Sequence, residues 1–304
     1  MPPKRSSAKK GCCVVNSVSI ATSIHPVMRA NQLGIKTNRT PNWLEMPIFK
    51  GVFRSYTMPN LVVDVIGGKA MTKRYTKAKI QIAENPFDHG SEQKLFYGRD
   101  MSNKTPVDIV LKEYIPKNTD TASQSSAFPY EIATQMQTIA VYLASEFNVH
   151  LEKKAGIRHD IKFLKVQVLA IEVGPGPKRY MSCERRCGRD SEFIRFSGYE
   201  MLECTCTANN MKFDVVELLM AFSHWTYKIT GGYLMVVDLQ GVLNMSESGR
   251  KTLELTDPAI HCTHLTRFGR TNLGEEGMKI FFSRHKCNRF CQAMGLEKHE
   301  ATIS

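Results

Sequence analysis

The sequence predicts an α+β fold in two lobes, the first rich in β-strands and the second stapled by a metal ion. Three observations carry this expectation. Residues 47–173 are mostly short apolar runs broken by glycine and turn residues, with one long amphipathic stretch among them. Residues 211–295 instead alternate helix-like and strand-like patterns. Near the C-terminus His285, Cys287 and Cys291 fall within seven positions, in HKCNRFC, and thiolate and imidazole are the usual ligands of structural zinc.

The bulk numbers agree with a folded body. A chain of 304 residues with 42% hydrophobic residues can build one large domain or two lobes with separate cores. Its 23% charged residues are too few for a disordered composition. The net charge of +12 favours anionic partners, whether nucleic acid, membrane, nucleotide phosphates or acidic proteins, without choosing among them. No apolar run reaches the ~18 residues of a transmembrane helix, so no membrane span is expected. Nine cysteines are an odd number in a chain too long for a disulfide mini-fold. Reduced thiols in a cytoplasmic compartment, some on metal, fit better.

The elements follow in order. Residues 1–40 are basic and polar with little periodicity; they read as a solvated tail without the apolar core of a signal peptide. Within it Cys12 and Cys13 read as ordinary thiols rather than lipid anchors. PIFKGVFRSYTM and NLVVDVIGGKAM read as strand-like runs, followed by KAKIQIA and VDIVLKEYI. From Tyr130 to Phe147 a helix is expected, because Ile132, Met136, Ile139, Leu143 and Phe147 form one apolar stripe. Residues 161–173 read as one buried strand. Asp214 and Glu217 suggest a capping box opening a helix that Gly231 and Gly232 close. YLMVVDLQGV reads as one strand, and residues 277–295 as mostly helix.

The fourth metal ligand must come from outside HKCNRFC; His261, Cys262 and His264 in AIHCTHL are the candidates. Cys287 and Cys291 share a helix face, whereas His285 lies about 200° from Cys287 on an ideal helix. All three can meet one ion only if the helix breaks between His285 and Cys287. Cys183, Cys187, Cys204 and Cys206 have no standard ligand spacing and are not read as a second site.

Two further groups could carry chemistry. Asp238 ends an apolar strand, with Gln240 two residues on and Asp257 before a proline. Carboxylates and an amide on such loops can hold a divalent cation or steer a hydroxyl, although an aspartate there is more often only a turn former. Gly269, Gly274 and Gly277 precede a helix, where backbone N–H groups can approach phosphate. Each signal alone is weak, and neither a Walker A string nor the HRD and DFG signatures of conventional kinases is present.

Taken in order, AFSHWTY, GGYLMVVDLQGV, LTDPAIH, FGRTNLGEEGM and FFSRHKCNRFCQAMGL resemble the C-terminal lobe of the alpha-kinases, the atypical group that includes myosin heavy chain and elongation factor 2 kinases. The resemblance runs from Ala221 to Leu296 and continues more loosely from about Pro47. It implies a two-lobed protein-kinase-like fold, with the N-lobe at about 41–180 and the C-lobe at about 181–300. It also implies an ATP-dependent serine/threonine protein kinase that uses magnesium and carries zinc. Under it Lys112 meets the ATP phosphates and Arg54 approaches them. Asp238 is the catalytic aspartate, Gln240 and Asp257 hold magnesium, and Glu184 meets the adenine from the hinge. Gly269, Asn272 and Gly274 form a C-lobe glycine loop, and the zinc set becomes His261, His285, Cys287 and Cys291. The sequence departs from the pattern in LNMSESGRKTLE, which lengthens the stretch before Asp257, and in extra residues after Glu184. These departures motivate the alternative of a nucleotide-binding pseudokinase or scaffold. A protein substrate is implied but not identified, and no specific nucleic-acid partner is expected because HKCNRFC lacks zinc-finger geometry.

Overall fold

The computed structural model describes residues 41–59, 61–90, 92–115, 126–188, 193–197, 210–247 and 250–298. The basic segment 1–40 with Cys12 and Cys13, and the pair Cys204 and Cys206, lie outside the described residues.

The β-rich half begins with β1 (Ile48–Thr57), α1 (Val62–Ile66), β2 (Thr72–Ile82), β3 (Asp88–His89), β4 (Gln93–Asp100) and β5 (Val107–Tyr114). It continues through α2 (Phe128–Ala155), β6 (Asp160–Phe163), β7 (Val166–Ile171) and β8 (Arg179–Arg185). Seven strands form one sheet in the order β2-β1-β7-β8-β5-β4-β3, and β2 also pairs with β4. The sheet thereby curls on itself around Phe53, Ile80, Phe96, Leu111, Leu169 and Met181. Alternation along these strands puts one set of side chains in that core and the other on the opposite face.

The segment NLVVDVIGGKAM is not a strand. It folds as the single turn of α1, because Val62 and Val65 at helical spacing pack on the core of the second lobe. Burial there overrides the β preference of valine. Residues 161–173 are likewise not one strand. The chain turns at Leu164 and Lys165, where the Leu164 N–H donates to the Leu255 carbonyl, and β6 and β7 belong to different sheets.

The second sheet has the order β6-β12-β11-β9, with β9 (Ile194–Arg195), β11 (Gln240–Met245) and β12 (Lys251–Thr256). A two-stranded unit pairs β10 (Leu234–Val237) with β13 (Ala259–Cys262). Around them lie α3 (Asn210–Ile229), α4 (Gly274–Arg284) and α5 (Arg289–Ala293). The α2 stripe is core as expected: Ile139, Leu143 and Phe147 are buried, and Phe147 meets Phe222 and Trp225 of α3 edge to face.

Two boundaries differ from expectation and a third matches it. Helix α3 begins at Asn210, so Asp214 lies within it and pairs with Lys251 and Arg289 instead of capping. YLMVVDLQGV splits into β10 and β11 at Asp238 and Leu239, where Asp238 turns the backbone with φ 57°. The last helix breaks where the ligand geometry required: α4 ends at Arg284, His285 is extended, and α5 starts at Arg289 under an Asn288 cap.

Candidate active site and metal cluster

Sheet register places Lys112. Across the curled sheet Tyr75, Arg54, Val168, Ser182 and Lys112 lie directly opposite one another in turn, so all five share one face. Leu111 points the other way into the core. The Lys112 ammonium is buried. Its Nζ lies 2.7 Å from Glu184 Oε1, 2.5 Å from Asp257 Oδ2 and 3.4 Å from Thr256 Oγ1. Burial alone would lower its pKa, but Asp257 and Glu184 override it and hold the amine above the ordinary lysine range.

Glu184 does not sit free at a hinge for an adenine. It lies within β8, buried, with Oε1 on Lys112 and Oε2 accepting from the Thr256 hydroxyl at 2.5 Å. Its carboxylate is the counter-ion of Lys112. The lengthened stretch before Asp257 is a β-hairpin that pairs Gln240 with Thr256. This pairing keeps Asp257 beside Gln240, whose Nε2 donates to the Asp257 carbonyl at 3.3 Å. Asp257 is held at φ 49° while its N–H donates to Gln137 Oε1 of α2 at 3.0 Å.

Asp238 occupies the turn between β10 and β11 and is nearly buried. Arg195 of β9 donates to its Oδ1 from Nε at 3.0 Å and from Nη2 at 2.6 Å. Burial pushes the carboxyl up to about 6 against the opposing pull of Arg195, so it is ionised at neutral pH yet close to its titration range. Positive φ at both Asp238 and Asp257 marks two left-handed, non-glycine positions among the candidate site residues.

Arg54 shares the Lys112 face but is engaged elsewhere, ion-paired with Glu131 at the start of α2 and lying over the Tyr75 ring at 5.3 Å. In the glycine loop Gly269 (φ 75°) and Gly274 (φ 64°) take the left-handed turns that their residue type allows. Asn272 is a structural clamp. Its Oδ1 accepts from the N–H groups of Cys262 and Gly274, and its Nδ2 donates to the carbonyls of His264, Leu265 and Arg267.

His285, Cys287 and Cys291 converge as expected, but the fourth member is His224 of α3 and not His261. The four ligand atoms of His224, His285, Cys287 and Cys291 lie within 4.8 Å of one another. Cys291 Sγ is 3.4 Å from His285 Nε2, and Cys287 Sγ is 3.8 Å from His224 Nδ1. With metal–ligand bonds of about 2.0–2.3 Å, a tetrahedron has edges of about 3.3–3.8 Å, which these contacts match. Burial lowers His285 to about 4, keeping the neutral, ligating ring. It raises Cys291 to about 11, so a thiolate there calls for a bound cation. His261 is committed to the fold. Its Nδ1 accepts from the Leu273 N–H at 3.2 Å, and its ring lies so close to Gly277 that a Cβ there would come within 2.6 Å of it.

The family model described as the alpha-kinase family matches residues 88–291. The chain belongs to the alpha-kinase family. It is 33% identical over 266 residues to alpha-protein kinase vwkA of Dictyostelium discoideum, covering 86% of this chain and 39% of that protein. It thus spans about two fifths of that relative's length. A solved alpha-kinase from Entamoeba histolytica superposes with a TM-score of 0.68 at 22% identity, over 87% of this chain and 96% of that one. The alpha-kinase domain of myosin heavy chain kinase A, solved in complex with ADP, gives 0.60 at 20% identity, over 82% and 98%. At those identities the structures establish the fold alone.

Within this alpha-kinase the structure adds residues that sequence reading passed over. Gln137 clamps the Asp257 N–H and donates to the Leu164 carbonyl; Thr256 bridges Glu184 and Lys112; Arg195 grips Asp238. His224 lies in AFSHWTY, a string already tied to the family, but it stands 61 positions before His285, and only tertiary packing brings the two together. Among the described residues no helix is long and apolar enough to cross a membrane.

Proposed function

We propose that this alpha-kinase domain transfers the γ-phosphate of ATP to serine or threonine hydroxyls of a protein substrate. The observation that carries the reading is Lys112, a buried ammonium beside the half-exposed Asp257 carboxylate, on the sheet face that also carries Arg54. Phosphoryl transfer needs positioned positive charge on the phosphates and an oriented hydroxyl more than covalent chemistry. Lys112 supplies the charge. Asp238, ionised and fixed through Oδ1 by Arg195, orients the acceptor hydroxyl and takes its proton. The ADP complex of the myosin heavy chain kinase A domain supports nucleotide binding on this fold.

Asp257 and Gln240 would hold magnesium, which neutralises phosphate charge when bound with the nucleotide. Oxygen donors from a carboxylate and an amide, kept together by the β11–β12 hairpin, suit that hard cation. His224, His285, Cys287 and Cys291 would hold zinc, tying α3 to the α4–α5 break and contributing folding energy.

The test is incubation of the purified chain with labelled ATP, magnesium and a generic basic protein, beside Asp238→Ala. Transfer by the wild type alone supports the kinase and its aspartate. Nucleotide binding without transfer by either would establish the pseudokinase reading instead.

A further inference from the structure

Strands β1 and β2 together hold six cations, Lys50, Arg54, Lys73, Arg74, Lys77 and Lys79, and no carboxylate. Their register sorts these cations. Lys73 lies opposite Tyr56, Tyr75 opposite Arg54, Lys77 opposite Val52, and Lys79 opposite Lys50. Five of the six cations thus share one face, the face that carries Lys112. Arg74 alone belongs to the other face, in line with the buried Phe53 and Ala78.

This arrangement is unfavourable for the isolated fold. Lys50 and Lys79 stand directly opposite, where like charges repel. Both are exposed, as is Lys77, and among the described residues none of the three makes an ion pair. Guarding a sheet edge against aggregation takes an isolated lysine or two, not a doubled stripe on a single face. The edge is also open among the described residues: β2 pairs with β4 only from Ile80 to Ile82, and Thr72–Ala78 have no second strand neighbour there.

We propose that this ribbon docks an extended, Asp/Glu-rich segment of a protein substrate. Of the four alternate positions 73, 75, 77 and 79 of β2, three are lysine and the fourth, Tyr75, stands opposite Arg54. Alternate positions recur every ~7 Å, the spacing of alternate side chains in an extended peptide. The open backbone of β2 offers that peptide hydrogen bonds as an added strand. A nucleic acid would favour free aromatic faces, whereas Tyr75, the one exposed aromatic ring of the ribbon, already carries Arg54. From β2 to Lys112 is four strand spacings by way of β1, β7 and β8, ~19 Å, and two by way of β4, ~10 Å, so a linker of up to about six extended residues reaches from the docked run to the phosphates.

That this segment belongs to a substrate rests on the kinase reading, and two measurements separate the claims. The first, without ATP, is fluorescence anisotropy with a labelled peptide of alternating glutamate and threonine. Lys50→Ser/Lys77→Ser/Lys79→Ser should weaken binding at least tenfold, and Lys77→Ser alone about twofold or more, while Arg74→Ser, the same single charge loss on the other face, should leave it unchanged. Equal effects of the two single variants would overturn the docking face. Tighter binding of a single-stranded oligonucleotide or of anionic vesicles, lost in the same triple variant, would overturn the peptide assignment. The second compares an acceptor peptide with and without an acidic run six residues away. The triple variant should lose the KM advantage conferred by the run and keep wild-type turnover of the plain peptide. Absent turnover of the plain peptide by wild-type protein would count against the kinase reading and leave the anisotropy result standing.

Discussion

Arg195→Met should move the acid limb of the reaction without removing the reaction. Asp238 titrates near 6 because burial raises it and Arg195 holds it down. Arg195 donates two charge-assisted hydrogen bonds to Oδ1, at 3.0 and 2.6 Å. Both bonds share one oxygen; taken together as a single charge-assisted contact they contribute about 1.5–3 kcal/mol, which at ~1.4 kcal/mol per unit corresponds to a rise of about one to two units on their loss. The measurement is kcat/KM for a peptide acceptor from pH 5.5 to 9, wild type beside variant. The wild type should lose activity tenfold per pH unit well below 6, and the variant should do so from about 7–8. At pH 6.5 the difference amounts to roughly threefold to 25-fold, shrinking toward high pH. Unfolding does not explain such a limb. A carboxyl whose folded pKa is raised stabilises the fold when protonated, and that contribution fades as pH rises through about 6. An acid limb that stays in place in Arg195→Met, with the plateau lowered at every pH, would refute Asp238 as the titrating group.

Other outcomes follow from the same geometry. Lys112→Met should abolish transfer and destabilise the fold by about 3–5 kcal/mol, because Glu184 is left as a buried, unpaired charge; adding Glu184→Gln should recover much of the stability and none of the activity, as read by urea unfolding and label transfer. Removing zinc with a strong chelator should lower Tm, and His224→Ala should purify with less than one equivalent of metal, whereas four-ligand occupancy preserved in His224→Ala would restore the case for another ligand. Gly241→Ala should cost more than about 3 kcal/mol, since its Cβ would lie 2.0 Å from the Glu254 carbonyl oxygen, a backbone atom that cannot step aside. Asn272→Ala should cost about 2–4 kcal/mol in thermal or urea unfolding, because two N–H groups and three carbonyls lose their partner.

Local patterns proved readable where one residue's neighbours in sequence are also its neighbours in space. The α2 stripe, the glycine stop after α3 and the break at His285 are of that kind, the last because three ligands within seven positions fix their own geometry. Chain breaks inside apolar runs were not readable. Leu164 and Asp238 interrupt sequences whose alternation continues across them, and only the pairing of β6 and β11 with different neighbours shows the division. The site followed the same logic. Lys112, Asp238, Gln240 and Asp257 carry motifs, whereas Gln137 and Arg195 act through partners 120 and 43 residues away and look like ordinary polar residues in their own strings. The string AIHCTHL offered three candidates for the fourth ligand and the family resemblance selected His261, while the space around its ring was already taken by Gly277 and Leu273.

The three-way contact at Lys112 has a consequence for nucleotide entry. One ammonium has three protons, and here they face Glu184, Asp257 and the Thr256 hydroxyl together. A phosphate oxygen arriving at Nζ finds no vacant donor, so it must take the place of one occupant. Glu184 and Thr256 are bonded to each other and buried; Asp257, with its side chain 44% exposed, is the one able to leave. On the proposed roles of Lys112 and Asp257, binding would be an exchange of anions: the carboxylate would yield its lysine to the phosphate and become available to a metal at the same moment. The nucleotide would then arrive with the very cation that the displaced Asp257 needs.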